Sequence, residues 1–305
     1  MRYIVFLLMV CFVRRLHGQN AADQVIPGTK ISMVPPDSFV LAQKFSGFQH
    51  DATGSSIMVA ELPAPFKALT DAFTKEALQA KGMELLGKEQ ITLASTPGLI
   101  FFVRQTANNL VYLKQILVFG DSTHTTMING IYPEKYKETL EGKIKTSLRT
   151  AHPSGSFISP EQAAPFEIDV KGTPFTFANG LSGSLYYVAE DETQTDDKQK
   201  AVIIVGSAIG EVVIGDKKQF VLDRLLKMPN GASYKPDSIQ EVRIDEMDGY
   251  EITAHQENGQ KEAFYQLILF DDASSYYIFV GMAMYNQAQF LVLFKKIART
   301  FHLKK

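Results

Sequence analysis

The chain is poor in the residue types that carry most covalent and metal chemistry. Its 305 residues include one cysteine, Cys11, and no tryptophan. Cys11 lies within Ile4-Val5-Phe6-Leu7-Leu8-Met9-Val10-Cys11-Phe12-Val13, an apolar run of about ten residues behind Arg2, the form of an export signal. The run is too short to remain in a bilayer, which takes roughly 20 apolar residues. Residues 1–18 therefore read as a signal peptide, with cleavage expected after Gly18. Val10 is not the small residue that a lipid-accepting cysteine needs in front of it, so Cys11 is expected to leave with the leader. The mature chain then holds no thiol, which excludes disulfides, thiolate nucleophiles and cysteine-ligated zinc or iron–sulfur centres. A chain of this length buries enough apolar surface to stand without bridges.

A charge excess is also lacking. The full chain has 31 basic against 33 acidic groups, and loss of Arg2, Arg14 and Arg15 with the leader widens the gap to five. That argues against nucleic acid or an anionic membrane as partner. With 45% hydrophobic and 21% charged residues, the composition is that of an ordinary soluble globular protein. The absence of tryptophan removes the usual stacking platform for sugars.

What the chain does contain is a copy of itself. Under a shift of 151 residues, Gly98 to Gly130 aligns without a gap on Gly249 to Gly281. Gln105 then falls on Gln256, Gln115 on Gln266, Phe119 on Phe270 and Asp121 on Asp272. A period this long indicates a duplicated domain rather than a solenoid. We expect a first α+β repeat at 27–152, a linker at 153–163 rich in turn formers, and a second α+β repeat at 164–305.

Periodicity gives a coarse map. In the first repeat Ser56–Ala60 reads as a strand, and Phe66, Leu69, Phe73, Ala77 and Ala80 as one helix face stopped by Gly82. Strands are expected near 89–94, 98–105, 110–119 and 124–131, with turns at Thr96-Pro97-Gly98 and Ala107-Asn108-Asn109. Tyr136, Leu140, Ile144 and Leu148 then form a helix face. The second repeat follows suit, with strands at Ser184–Val188 and Ala201–Val205 and a capping box at Asp216-Lys217-Lys218-Gln219. Its later strands are expected near 239–246, 249–256, 261–270 and 275–284, with turns at Met247-Asp248-Gly249 and Glu257-Asn258-Gly259. A closing helix carries Phe290, Phe294, Ile297 and Phe301, one residue out of step with the strands before it.

Each half thus reads as strands, a helix, a four-stranded antiparallel meander and a helix, an α+β layer structure. The Pro35-Pro36-Asp37 opening, the Phe119-Gly120-Asp121 strand end, Gly130-Ile131-Tyr132-Pro133 and the terminal amphipathic helix give the chain a resemblance. It resembles the fold shared by the PsbP extrinsic protein of photosystem II and the Ran-binding Mog protein, also seen in small exported bacterial DcrB-like proteins. The resemblance implies the fold in two copies and carries over no functional residue.

Phe119-Gly120-Asp121-Ser122 looks like the nucleophile block of the GDSL esterases, but the required Asp-x-x-His occurs only as Asp121-Ser122-Thr123-His124, overlapping the nucleophile. A turn in which Asp121 accepts local amides is the simpler reading. Gly54-Ser55-Ser56 reads as a turn before a strand, and Gly206-Ser207-Ala208-Ile209-Gly210 lacks nucleotide-cradle spacing. His17, His50, His124, His152, His255 and His302 stand at no metal-pair spacing. Glu190-Asp191-Glu192 with Asp196-Asp197 reads as a solvated loop. Tyr186-Tyr187 and Tyr276-Tyr277 are expected to place one ring on each sheet face. No catalytic, cofactor-binding or metal residue is assigned, and no cofactor is expected. The expectation is an exported non-catalytic binding or accessory protein of the cell envelope, whose partner is another envelope protein or a small ligand. The alternatives are an envelope hydrolase with an interdomain site and a carrier of a small apolar ligand.

Overall fold

The computed structural model describes residues 22–107, 109–190, 201–210, 212–256, 262–271 and 275–304. The leader, the acidic stretch from Asp191 to Asp197, the Glu257-Asn258-Gly259 turn and Asp272 lie outside them.

In chain order the first half runs β1 (Gln24–Val25), β2 (Ile31–Met33), β3 (Val40–Leu41), β4 (Gly47–His50), β5 (Ser55–Leu62), α1 (Phe66–Asp71) and α2 (Lys75–Gln79). The meander β6 (Met83–Leu93), β7 (Thr96–Ala107), β8 (Leu110–Gly120) and β9 (Thr125–Pro133) follows, then α3 (Lys137–Leu148) and β10 (His152–Pro153). The second half runs α4 (Pro160–Ala163), β11 (Phe166–Glu167), β12 (Phe175–Leu181), β13 (Ser184–Ala189), β14 (Val202–Ser207) and α5 (Lys217–Leu226). Its meander is β15 (Tyr234–Ile244), β16 (Met247–Gln256), β17 (Ala263–Asp271) and β18 (Ser275–Ala283), closed by α6 (Gln287–Ala298) and β19 (His302–Leu303).

Two seven-stranded antiparallel sheets result, ordered β3-β4-β5-β9-β8-β7-β6 and β12-β13-β14-β18-β17-β16-β15. The shared order shows the duplication directly. In the first sheet α1 and α2 cover Phe101, Val103, Ile116 and Val118, while Leu140, Ile144 and Leu148 of α3 close the opposite face over Ile100, Leu117 and Ile128. In the second, Val221 and Leu225 of α5 cover Ile252, Phe264 and Ile268, and Phe290, Phe294 and Ile297 of α6 cover Tyr265, Leu267 and Phe279.

Gly130 on β9 and Gly281 on β18 seat the closing helices. A Cβ at either would run into Ile144 of α3 or Phe294 of α6. The two glycines differ by 151 positions and the two helix residues by 150, the expected one-residue step.

Matching positions of the meanders agree at a spacing of 151 on three strands but not on the fourth. Val103 pairs with Lys114, whereas its counterpart Ala254 pairs with Phe264. Gln115 pairs with Gly130, but it is Tyr265 that pairs with Gly281. Strand β17 has therefore slipped by one residue, which moves every side chain to the other face. Gln115 faces α3 and donates from Nε2 to the Glu141 carbonyl at 2.8 Å. Gln266 faces α5 and donates to the Val221 carbonyl at 3.0 Å. The gapless alignment of Gln115 with Gln266 and Phe119 with Phe270 is thus not the structural one. One residue lost before the strand and one gained after it hide the slip from the sequence.

Other expectations need correction. The single helix over 66–80 is two, because the Thr74 side chain accepts from the Ala77 N–H and starts α2 anew. Leu78, not Ala77 or Ala80, is its buried residue. Thr96-Pro97-Gly98 and Met247-Asp248-Gly249 are strand, not turn; the turns are Ala94-Ser95 and Asp245-Glu246, with Ala94, Asp245 and Glu246 at positive φ. Asp216 caps α5 through the Gln219 N–H, but Gln219 bonds forward to Asp223, so only half the capping box forms.

Each closing helix also presents two cations to one carboxylate. Lys145 and Arg149 of α3 meet Glu89 on β6, and hydrogen bonding to Lys145 holds that carboxyl below the ordinary range. Lys295 and Arg299 of α6 meet Glu251 on β16 at 3.4 and 2.8 Å, and Tyr265 Oη donates to Glu251 at 3.0 Å. The cations match between halves but the carboxylates do not: Glu89 pairs across its rung with Ile100, and Gln240 with Glu251. The Glu251 side chain is 3% exposed and that of Glu89 31%. Glu251→Ala is therefore expected to cost about 2–3 kcal/mol, since it strands a buried tyrosine hydroxyl and two cations. Glu89→Ala is expected to cost less than about 1 kcal/mol, as an exposed pair does. Urea denaturation of the two variants checks the difference.

Candidate functional site

The segment that joins the halves lines a recess that both halves share. Ser159-Pro160-Glu161-Gln162 forms a reciprocal capping box, Gln162 N–H to Ser159 Oγ at 3.2 Å and Ser159 N–H to Gln162 Oε1 at 3.1 Å, with Pro160 at the first helical position. Ahead of it the chain is pinned to the β1–β2 loop, with Ser154 N–H donating to the Lys30 carbonyl at 2.8 Å and Gly28 N–H to the Ile158 carbonyl at 2.9 Å. Between these pins Phe157 is left 53% exposed.

Phe157 lines a groove of about 340 Å³ between the halves. Leu62 and Pro63 at the end of β5 line it from the first half and Phe177 and Asn179 of β12 from the second, with Pro160 of the joining segment. Gly180 packs so tightly on Pro160 that a Cβ there would collide with the ring. The lining is largely apolar. Lys30, Glu61 and His124 add polar groups to the lining, and Glu61 Oε2 accepts the Lys30 N–H at 2.8 Å. Beside the groove the seam is closed. Lys44 Nζ donates to Ser275 Oγ at 2.6 Å, Ser207 Oγ donates to the Lys44 carbonyl at 3.4 Å, and the cavity left has about 30 Å³, room for a water.

The esterase-like block is a turn. Asp121 Oδ1 accepts the Thr123 and His124 N–H groups at 2.7 and 2.8 Å and the Thr123 hydroxyl at 2.7 Å. These bonds, the one from the His124 N–H foremost, hold its carboxyl down at about 2. His124 Nδ1 meets Thr123 Oγ1 rather than Ser122. Gly54 lies in the turn before β5, as expected, and Ser207 ends β14 at the seam.

The other histidines are held by nearby groups. His50 Nδ1 meets Thr53 Oγ1 at 2.7 Å and its ring stacks on Phe39. His255 meets Asp237 at 2.6 Å, in the place where Arg104 meets Glu134. His152 and His302 take matching places, Nδ1 against the Thr150 or Thr300 carbonyl and Nε2 facing Asp23 or Glu167. The Thr300 carbonyl, and then Glu167, raise the pKa of His302. His17 is outside the described residues, among which no group of three acidic, histidine or cysteine side chains is placed to hold a metal. No described helix is long and apolar enough to cross a membrane.

Of the tyrosine pairs, Tyr187 is buried with its hydroxyl on Glu161, and Tyr186 is half-exposed, one ring to each face. Tyr276 and Tyr277 also lie on opposite faces, as expected, and both are buried because this strand is covered on both sides: Tyr276 packs on Phe220 of α5 and Tyr277 on Phe166 and Phe301. Sequence reasoning did not find the groove. Phe157 and Ile158, large apolar residues in a linker otherwise rich in turn formers, were its visible signal.

No family model matches the chain, and no curated protein matches it. Among solved structures it is similar to LpqN of Mycobacterium tuberculosis, involved in cell envelope biogenesis, at 11% identity and a TM-score of 0.37, over 46% of this chain and 83% of that one. It is similar to the cyanobacterial PsbP of Synechocystis sp. PCC 6803 at 13% identity and a TM-score of 0.33, over 44% and 93%. Over 92% of this chain and 97% of the other it is similar to the type VI secretion immunity protein TplEi of Pseudomonas aeruginosa, at 10% identity and a TM-score of 0.35.

The Asp121 turn yields a pH expectation. Its folded pKa, near 2, lies below the ordinary 3.8, so its contribution to stability is present above about pH 4 and is lost as pH falls towards 2. Asp121→Ala is expected to lower stability at pH 7 and to converge on wild type near pH 2, which melting curves at the two pH values test.

Proposed function

We propose that the chain is an exported, non-catalytic binding protein of the cell envelope, released after cleavage near Gly18, with its repeats at 27–152 and 164–305. Its recognition site is the groove between them. One observation carries this reading: an aromatic ring, Phe157, is held half-exposed by pinned backbone over a largely apolar recess that both halves build. An exposed aromatic beside apolar walls is the kind of anchor that dominates binding energy at interfaces. The groove is near the lower size limit of small-ligand pockets, which suits one projecting side chain or short segment of a partner protein. Among the described residues, His124 is the one histidine that lines it and no serine does.

The test compares the tagged mature protein with Phe157→Ser and, as a surface control, Val292→Ser, a 71% exposed position on α6. A partner from the native envelope is expected to stay on wild type and on the control, and to fall at least about tenfold on Phe157→Ser. Turnover in esterase, phosphatase or peptidase assays that one substitution abolishes would replace this reading with the hydrolase one.

A further inference from the structure

The groove meets the second sheet in a way that selects its occupant. Strand β12 ends that sheet, so one side of its backbone has no neighbouring strand. The recess touches Phe177, Ala178, Asn179 and Gly180, four residues in succession. Successive side chains point to opposite faces, so a recess that meets all four runs along the edge of the strand and not over one face.

The pairing with β13 fixes which main-chain groups look out from that edge. The Glu190 N–H donates to the Pro174 carbonyl at 2.8 Å, a bonded rung, and bonded and open rungs alternate along an antiparallel pair. Phe175 and Phe177, opposite Ala189 and Tyr187, therefore stand on open rungs and turn their N–H and C=O groups outward. At the other end Leu181 and Ser184 close the two-residue turn Ser182-Gly183, so Gly180 turns outward too. Two outward donors are taken by side chains close by: Phe175 N–H donates to Thr173 Oγ1 at 3.2 Å and Gly180 N–H to Asn179 Oδ1 at 2.8 Å. The N–H and carbonyl of Phe177 have no such partner among the described residues.

The duplicate supplies the contrast. In the order of the first sheet β3 takes the place of β12, and it is two residues long. A stub of that kind blunts an edge. Strand β12 has seven residues, none charged and none proline, and the bulge at Ala178 is its one interruption. The second half thus keeps open, beside the groove, an edge that its twin blunts.

We propose that the groove takes an extended segment of a partner protein as an added strand on β12, its main chain bonding to Phe177 and its alternate, apolar side chains entering the recess. This rests on the groove being the recognition site and adds the mode of recognition. A donor and an acceptor side by side on extended backbone are matched by a second extended backbone. An apolar small molecule could fill the recess, but it would leave both unpaired.

The probe is the labelled peptide acetyl-Thr-Val-Thr-Leu-Thr-Val-Thr amide on the full mature chain. Two variants of it are N-methylated, one at the apolar residues and one at the threonines. Methylation removes the N–H and keeps the side chain, and the two sets lie on opposite edges of an extended peptide. The set that faces β12 is expected to weaken binding at least about tenfold, the other less than about threefold. Exchange of the Phe177 amide proton should slow at least about tenfold with peptide bound, while that of Thr176, bonded within the sheet, stays as it was. A difference between the sets that persists while Phe157→Ser changes no affinity supports the added strand and removes the Phe157 anchor. Weakening of every peptide by Phe157→Ser with no difference between the sets keeps the anchor and overturns the added strand. No measurable binding of the unmethylated peptide, or unchanged exchange at Phe177, overturns it as well.

Discussion

The close approach of the closing helices to their sheets governs both halves. Gly130 and Gly281 are bare so that Ile144 and Phe294, each 0% exposed, can sit on the strand backbone. Much else follows from that contact. It sets α3 so that Thr150, just past its end, accepts the Val34 N–H, and sets α6 so that Thr300 accepts the Asp169 N–H. The chain after each threonine then pairs as β10 with β2 or β19 with β11. In the first half that pairing delivers the linker to Lys30 and Gly28, where Phe157 comes to line the groove. The candidate site is thus the downstream end of a packing contact made on the far side of the first sheet.

The slipped strand shows how far the halves have parted inside one fold. A β-strand shifted by one residue exchanges its two faces, and a sheet tolerates this only where both faces are apolar. β8 and β17 meet that condition, since Ile116-Leu117-Val118 and Leu267-Ile268-Leu269 are buried throughout. The two glutamines mark the event: each ties its sheet to a helix through a backbone carbonyl, but to helices on opposite sides.

The meander and its helix faces were legible in the sequence because apolar periodicity reports burial, and the buried faces are long. The hairpin turns were misplaced for a physical reason. Gly98 and Gly249 look like turn residues, but both lie in strand, where they let a neighbouring backbone carbonyl come close. The true turns fall on Ala94-Ser95 and Asp245-Glu246, which carry no turn signature strong enough to outweigh a nearby glycine. The groove was illegible because it is assembled from the β1–β2 loop, the end of β5, the linker and β12, which no local pattern connects. The free edge of β12 was illegible because a strand's neighbours, not its own residues, decide which edge is left unpaired.

The moved carboxylate reaches beyond stability. Glu89 and Glu251 serve matching cation pairs from opposite members of one rung. A hybrid joining β6 of the first half to β16 of the second would set two carboxylates face to face. The reciprocal hybrid, β15 with β7, would place Gln240 opposite Ile100 and leave two cations facing neither. Exchange between the halves at this point would therefore break the match of carboxylate to cations on both sides.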